Sequence, residues 1–159
     1  MKVAGWVAAG TWPAVVDALK RRPASDDLVL VAVADESEGV PSGPLAGLMG
    51  RGRRPRDSQA NDQLGRTAAE DLLAQAVAML GRPCEAQLRT GFTEREVTAA
   101  AAVVDLLIIA RDGDRTRLGP HSLGRHTRFV LDHAPCTVAL LWPGEAPGLD
   151  SIPAPPPDR

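Results

Sequence analysis

The stretch best equipped to hold a charged group lies between Asp105 and Arg128. It opens with the apolar run Leu106-Leu-Ile-Ile-Ala110, passes Arg111, Asp112 and Gly113, and continues as Leu118-Gly119-Pro120-His121-Ser122-Leu123-Gly124-Arg125. A buried strand, a glycine-bearing loop and a helix opening near Ser122 would aim free backbone N–H groups and a positive dipole end at the loop's contents. That is an anion cradle. Arg111, Arg115, Arg117 and Arg125 add guanidinium forks that match phosphate oxygens. The other reading makes them solvated charges, offset by Asp112 and Asp114.

Weaker patterns exclude other chemistries. His126 and His133 can share a helix face, but no carboxylate or cysteine supplies a convincing third ligand, so they are expected to be surface or packing histidines and no metal site is expected. Cys84 and Cys136 form no Cys-x-x-Cys pair, which argues against a disulfide framework and for a reducing, cytoplasmic setting. Ser122 beside His121 lacks the Gly-x-Ser-x-Gly elbow of a hydrolase, and no Gly-Lys-Ser/Thr phosphate loop is present. The chain is not expected to be an enzyme.

Alternating elements must position that loop. Val3–Ala9, Leu28–Ala34, Leu106–Ala110 and Thr137–Trp142 are nearly continuous apolar runs, as in strands covered on both faces. Cys84–Thr90 instead alternates apolar and polar residues and belongs at a sheet edge. Four helices are predicted between them. Pro13–Arg21 carries its proline in the first turn, where the missing N–H costs nothing. Gln63–Leu80 places Leu64, Ala68, Leu72, Ala76 and Leu80 at i, i+4 and stops at Gly81. Glu94–Val104 would open on a Thr93/Glu96 capping box, and Ser122–His133 would end before Ala134-Pro135. Repeated β-α-β units imply a single α/β domain with a mostly parallel five-stranded sheet between helical layers. Its ligand would lie at the carboxyl ends of the strands.

The 159 residues suit one domain, spanning 1–143, followed by a Pro-rich tail over 144–159. A net charge of −2 creates no field that would draw nucleic acid, and no run is long enough to cross a membrane. Residues 36–62 read as a mobile insertion: Arg51, Arg53, Arg54 and Arg56 stand there without an aromatic residue to stack a base.

With this order of elements, the ending His133-Ala-Pro-Cys136 before an apolar strand resembles the universal stress protein family, over nearly the whole chain. The resemblance implies a Rossmann-like fold of the adenine nucleotide alpha hydrolase type, with sheet order 3-2-1-4-5. It also implies a homodimer through the fifth strand, here Thr137, Val138, Leu140 and Trp142, and ATP or another adenine nucleotide as ligand. Nucleotide-binding members carry Gly-x-x-Gly, nine residues, then Gly-Ser or Gly-Thr. Here Ala110 replaces the first glycine, ten residues separate Gly113 from Gly124, and Arg125 follows where a hydroxyl is expected. Ala9 stands where the family places an aspartate at the end of the first strand. A nucleotide would be held by Gly10, Thr11, Gly113, Gly119, Ser122, Gly124 and Arg125. The alternatives are a protein-interaction module that binds no nucleotide and a slow nucleotide hydrolase.

Overall fold

The structure is a computed structural model that describes residues 1–36 and 55–157, with side chains of the second stretch from 59 onward. Its strands are β1 (Lys2–Trp6), β2 (Asp27–Asp35), β3 (Glu85–Gly91), β4 (Leu106–Ala110) and β5 (Thr137–Leu141). They pair in the order β3-β2-β1-β4-β5, and all four pairings are parallel. The helices are α1 (Trp12–Lys20), α2 (Pro55–Leu80), α3 (Thr93–Ala101) and α4 (Arg125–His133). This is the expected five-stranded α/β sheet.

Two apolar layers sandwich the sheet. Val3, Leu28, Leu30 and Ile108 pack on one face with Val15, Val16 and Leu19 of α1 and Leu73, Ala76 and Leu80 of α2. Ala4, Val29, Val31, Leu107 and Ile109 pack on the other with Val97 of α3 and Val130 of α4. Alternate residues along each central strand feed opposite layers, which is why those runs had to be apolar throughout. Gly5 admits α1 close to the sheet: a Cβ there would lie 2.7 Å from Leu19 and Val15.

Several expected boundaries shift. The insertion expected over 36–62 is helical from Pro55 onward, with proline at the first helical position; the arginines at 51, 53 and 54 lie outside the described residues. Along α2 the buried residues are Ala69, Leu73, Ala76 and Leu80, whereas Leu64 and Ala68 are exposed. A strict i+4 row drifts around a helix of 3.6 residues per turn, so the covered stripe alternates steps of four and three. The Thr93/Glu96 capping box does not form. Phe92 occupies the cap, Thr93 donates its hydroxyl to Asp35 at 2.6 Å, and Glu96 accepts from Arg89 at 2.9 Å. The helix expected from Ser122 is split into a 3-10 turn, Pro120–Ser122, an extended residue Leu123, and α4 starting at Arg125.

Candidate functional site

Strand order reverses at β1, whose neighbours are β2 and β4, so the loops leaving the carboxyl ends of these three strands surround the position where such sheets bind ligands. Two features sit there: the loop between β4 and α4, and a cavity over the ends of β1 and β2.

The β4–α4 loop folds onto itself. Gly113 N–H donates to the Ser122 carbonyl at 2.9 Å and Asp114 N–H to the His121 carbonyl at 2.8 Å. Gly113 is needed for this approach, since a Cβ there would overlap the His121 carbonyl oxygen and lie 2.9 Å from the Ser122 carbonyl carbon. Gly119 turns the chain at φ 130°, a conformation that side chains disfavour. Ser122 is fully buried: its hydroxyl donates to the Gly119 carbonyl at 2.7 Å and accepts from Arg111. Arg111 lies over the Trp142 ring, 4.6 Å from its centre, and its buried Nε–H meets no acceptor among the described residues. Asp112 reaches forward so that its carboxylate accepts the Gly124 N–H at 2.7 Å, at the cap of α4. Thr116 holds the Asp114 carboxyl below its ordinary value by hydrogen bonding to it.

Of the residues proposed from sequence, Gly113, Gly119 and Ser122 are therefore brought together by contacts with one another, and Gly124 joins the same loop through Asp112. Arg125 is exposed on the first turn of α4. Gly10 and Thr11 form the β1–α1 turn, Gly10 at φ 80° and Thr11 buried.

The cavity, about 250 Å³, lies on the β2 side of β1 and is lined by none of those seven residues. Trp6, Val7, Ala8, Ala9 and Val33 form an apolar wall from the strand ends, and Gly65, Ala68, Ala69 and Leu72 of α2 face it. Its polar side is Asp35, Thr93 and His126. His126 donates Nδ1–H to Glu94 at 2.7 Å, and its Nε2 stands 4.0 Å from Asp35. Burial pushes the Glu94 carboxyl up, but its own backbone N–H, His126 and Arg125 outweigh that and hold it below the ordinary value. So β2, α3 and α4 converge on one polar cluster. Sequence reasoning read His126 as a surface or packing histidine; Glu94 lies 32 residues away, and only the fold makes them neighbours. Among the described residues no group of His, Cys, Asp and Glu is arranged to hold a metal ion.

A larger groove, about 630 Å³, opens at the amino ends of the strands between Lys2, Asp27, Arg82 and Glu85. Two of its charged groups, Arg82 and Asp26, are committed to structure. Arg82 donates to the carbonyls of Leu19, Lys20, Arg22 and Pro23, which close the end of α1, and Asp26 is paired with the chain's ammonium group and Arg22.

No protein-family model matches the chain, and no curated protein matches it in sequence. Solved structures do match in fold. Universal stress protein UspA from Lactobacillus plantarum superposes with a TM-score of 0.55 at 18% identity, over 89% of this chain and 97% of that one. A universal stress protein family protein from Arabidopsis thaliana, with AMP bound, gives 0.53 at 18% identity over 100% and 99%. A universal stress protein in complex with cAMP gives 0.53 at 17% identity over 91% and 98%. The chain has the universal stress protein fold, as its ending and strand order implied. None of the helices among the described residues is long and apolar enough to cross a membrane.

Proposed function

We propose that this protein is a small-ligand-binding regulatory protein of the universal stress protein type, and that its ligand is of the adenine nucleoside class, seated in the cavity over β1 and β2. The observation that carries this reading is the cavity's composition: an apolar wall of strand-end residues faced by three convergent polar groups, at the carboxyl ends of a parallel sheet. The volume, about 250 Å³, lies just below the roughly 300–1,000 Å³ of drug-sized pockets and suits a base with its sugar. Thr93, Asp35 and His126 offer donors and acceptors to ring nitrogens or ribose hydroxyls. The structures with AMP and with cAMP bound support the choice of adenine.

The residues of the β4–α4 loop do not fit a phosphate group as they stand. Ser122 is turned inward, and the Gly124 N–H is taken by Asp112. Signalling by binding, without turnover, is the role proposed, in a dimer joined through β5.

Calorimetric titration with adenosine tests the reading. Ala68 is exposed on α2 and lines the cavity, so Ala68→Phe should fill the space while leaving the core intact. Adenosine should bind the native protein and fail to bind the variant. Equal affinity for both would place the ligand elsewhere, and binding to neither would remove the proposal.

A further inference from the structure

The seven-residue set drawn from sequence assumes an open cradle at the start of α4, and the structure shows that cradle filled from within. Asp112 leaves the end of β4, turns along the loop and sets Oδ1 2.7 Å from the Gly124 backbone nitrogen. A Cβ built on Gly124 would meet both carboxylate oxygens and Cγ of Asp112 within 3.0 Å, so the side chain lies directly against the helix cap. The α4 helix has nine residues and no acidic residue in its first turn, so the anion that its amino end favours is supplied by Asp112.

We infer that Asp112 is a specificity-determining residue that keeps phosphate groups out of the cap of α4, two residues before the cavity's His126, and so restricts the cavity's ligand to nucleosides and similarly uncharged molecules. The inference rests on the reading of the cavity as a nucleoside site. It follows from three commitments. The Gly124 N–H already has an anionic acceptor that is covalently tethered and always at high local concentration. Arg111 donates to Ser122 and lies over Trp142. Arg128 donates to the Pro120 and Leu123 carbonyls at 3.1 and 3.4 Å, and Arg117 pairs with Asp114 at 3.5 Å. A phosphate entering the cradle would have to displace the carboxylate or stand beside it, and two like charges around one donor repel. Arg125, where the resemblance implies a hydroxyl residue, is exposed on the first turn of α4 and its charge acts on Glu94.

The test compares the native protein with Asp112→Ala and Asp112→Asn, using adenosine, AMP and inorganic pyrophosphate as probes, by calorimetry and by the Gly124 amide signal in nitrogen-15 NMR. The native protein should bind adenosine on the order of tenfold or more tighter than AMP, and Asp112→Ala should reverse or erase that preference. Pyrophosphate should move the Gly124 amide in Asp112→Ala only. Asp112→Asn keeps an acceptor oxygen for the cap and guards against a folding defect; it should recover part of the AMP affinity. AMP binding as tightly as adenosine to the native protein, or no gain in phosphate affinity in either variant, overturns the inference. If adenosine binds no form while pyrophosphate shifts the Gly124 amide in Asp112→Ala alone, the nucleoside reading falls and the exclusion by Asp112 stands.

Discussion

Replacing Gly113 with alanine probes the closure of the β4–α4 loop at its tightest point. The added Cβ would overlap the His121 carbonyl oxygen and press the Ser122 carbonyl carbon at 2.9 Å, and both are backbone atoms that no rotamer change can move. Overpacking of this kind costs about 1–3 kcal/mol. The loop can relieve it only by opening, which weakens the Gly113–Ser122 and Asp114–His121 hydrogen bonds, each worth about 0.5–1.5 kcal/mol net. A total near 3 kcal/mol is expected, which for a chain of this size lowers the melting temperature by roughly 6–12 °C. Gly124→Ala is the matched control. Its Cβ would meet the Asp112 carboxylate at 2.7–3.0 Å, but that is the end of an exposed side chain that can swing away, leaving a loss of about 1 kcal/mol for the broken cap bond. Calorimetric melting or urea denaturation of the two variants reads the difference directly. If Gly113→Ala melts within a degree of the native protein, or if Gly124→Ala is the more damaging change, the account of the loop is wrong.

The Glu94–His126 pair predicts a pH dependence. The folded state holds the Glu94 proton less tightly than the unfolded chain, so its contribution is present above the ordinary value of 4.5 and fades as pH falls through the lowered folded value. Glu94→Gln should therefore cost stability at pH 6 and progressively less as the solution is made acid enough to protonate Glu94 in the folded protein, measured by urea denaturation; a cost that does not change with pH would sink the assignment. The proposed dimer predicts that Leu140→Lys, at a half-buried position of the edge strand β5, converts a two-chain species into a single chain in sedimentation, with helix content unchanged. A native protein that sediments as one chain at micromolar concentration would dispose of that proposal.

Local pattern was enough for the architecture. Apolar runs without alternation marked β1, β2, β4 and β5 as strands of a parallel sheet, and the polar alternation over Cys84–Thr90 marked β3, which spans Glu85–Gly91, as an edge, where it lies. Gly81 stopped α2 because its φ of 63° suits glycine, and β4 runs over the same five residues in sequence pattern and structure. These features depend on residues close along the chain, which periodicity and turn chemistry report. Of the i+4 row on α2, Leu72, Ala76 and Leu80 meet the core while Leu64 and Ala68 are exposed, because a list of i+4 neighbours does not say how much of the helix the sheet will cover. The site depended on tertiary structure altogether. Asp112 and Gly124 are 12 residues apart, Glu94 and His126 32, and Asp35 and Thr93 58. Parallel crossovers send every strand's carboxyl end to the same edge of the sheet, so side chains remote in sequence meet there. Their residue types were visible from the start, but whether an aspartate would face solvent or fill its own helix cap was decided by the three-dimensional course of the loop.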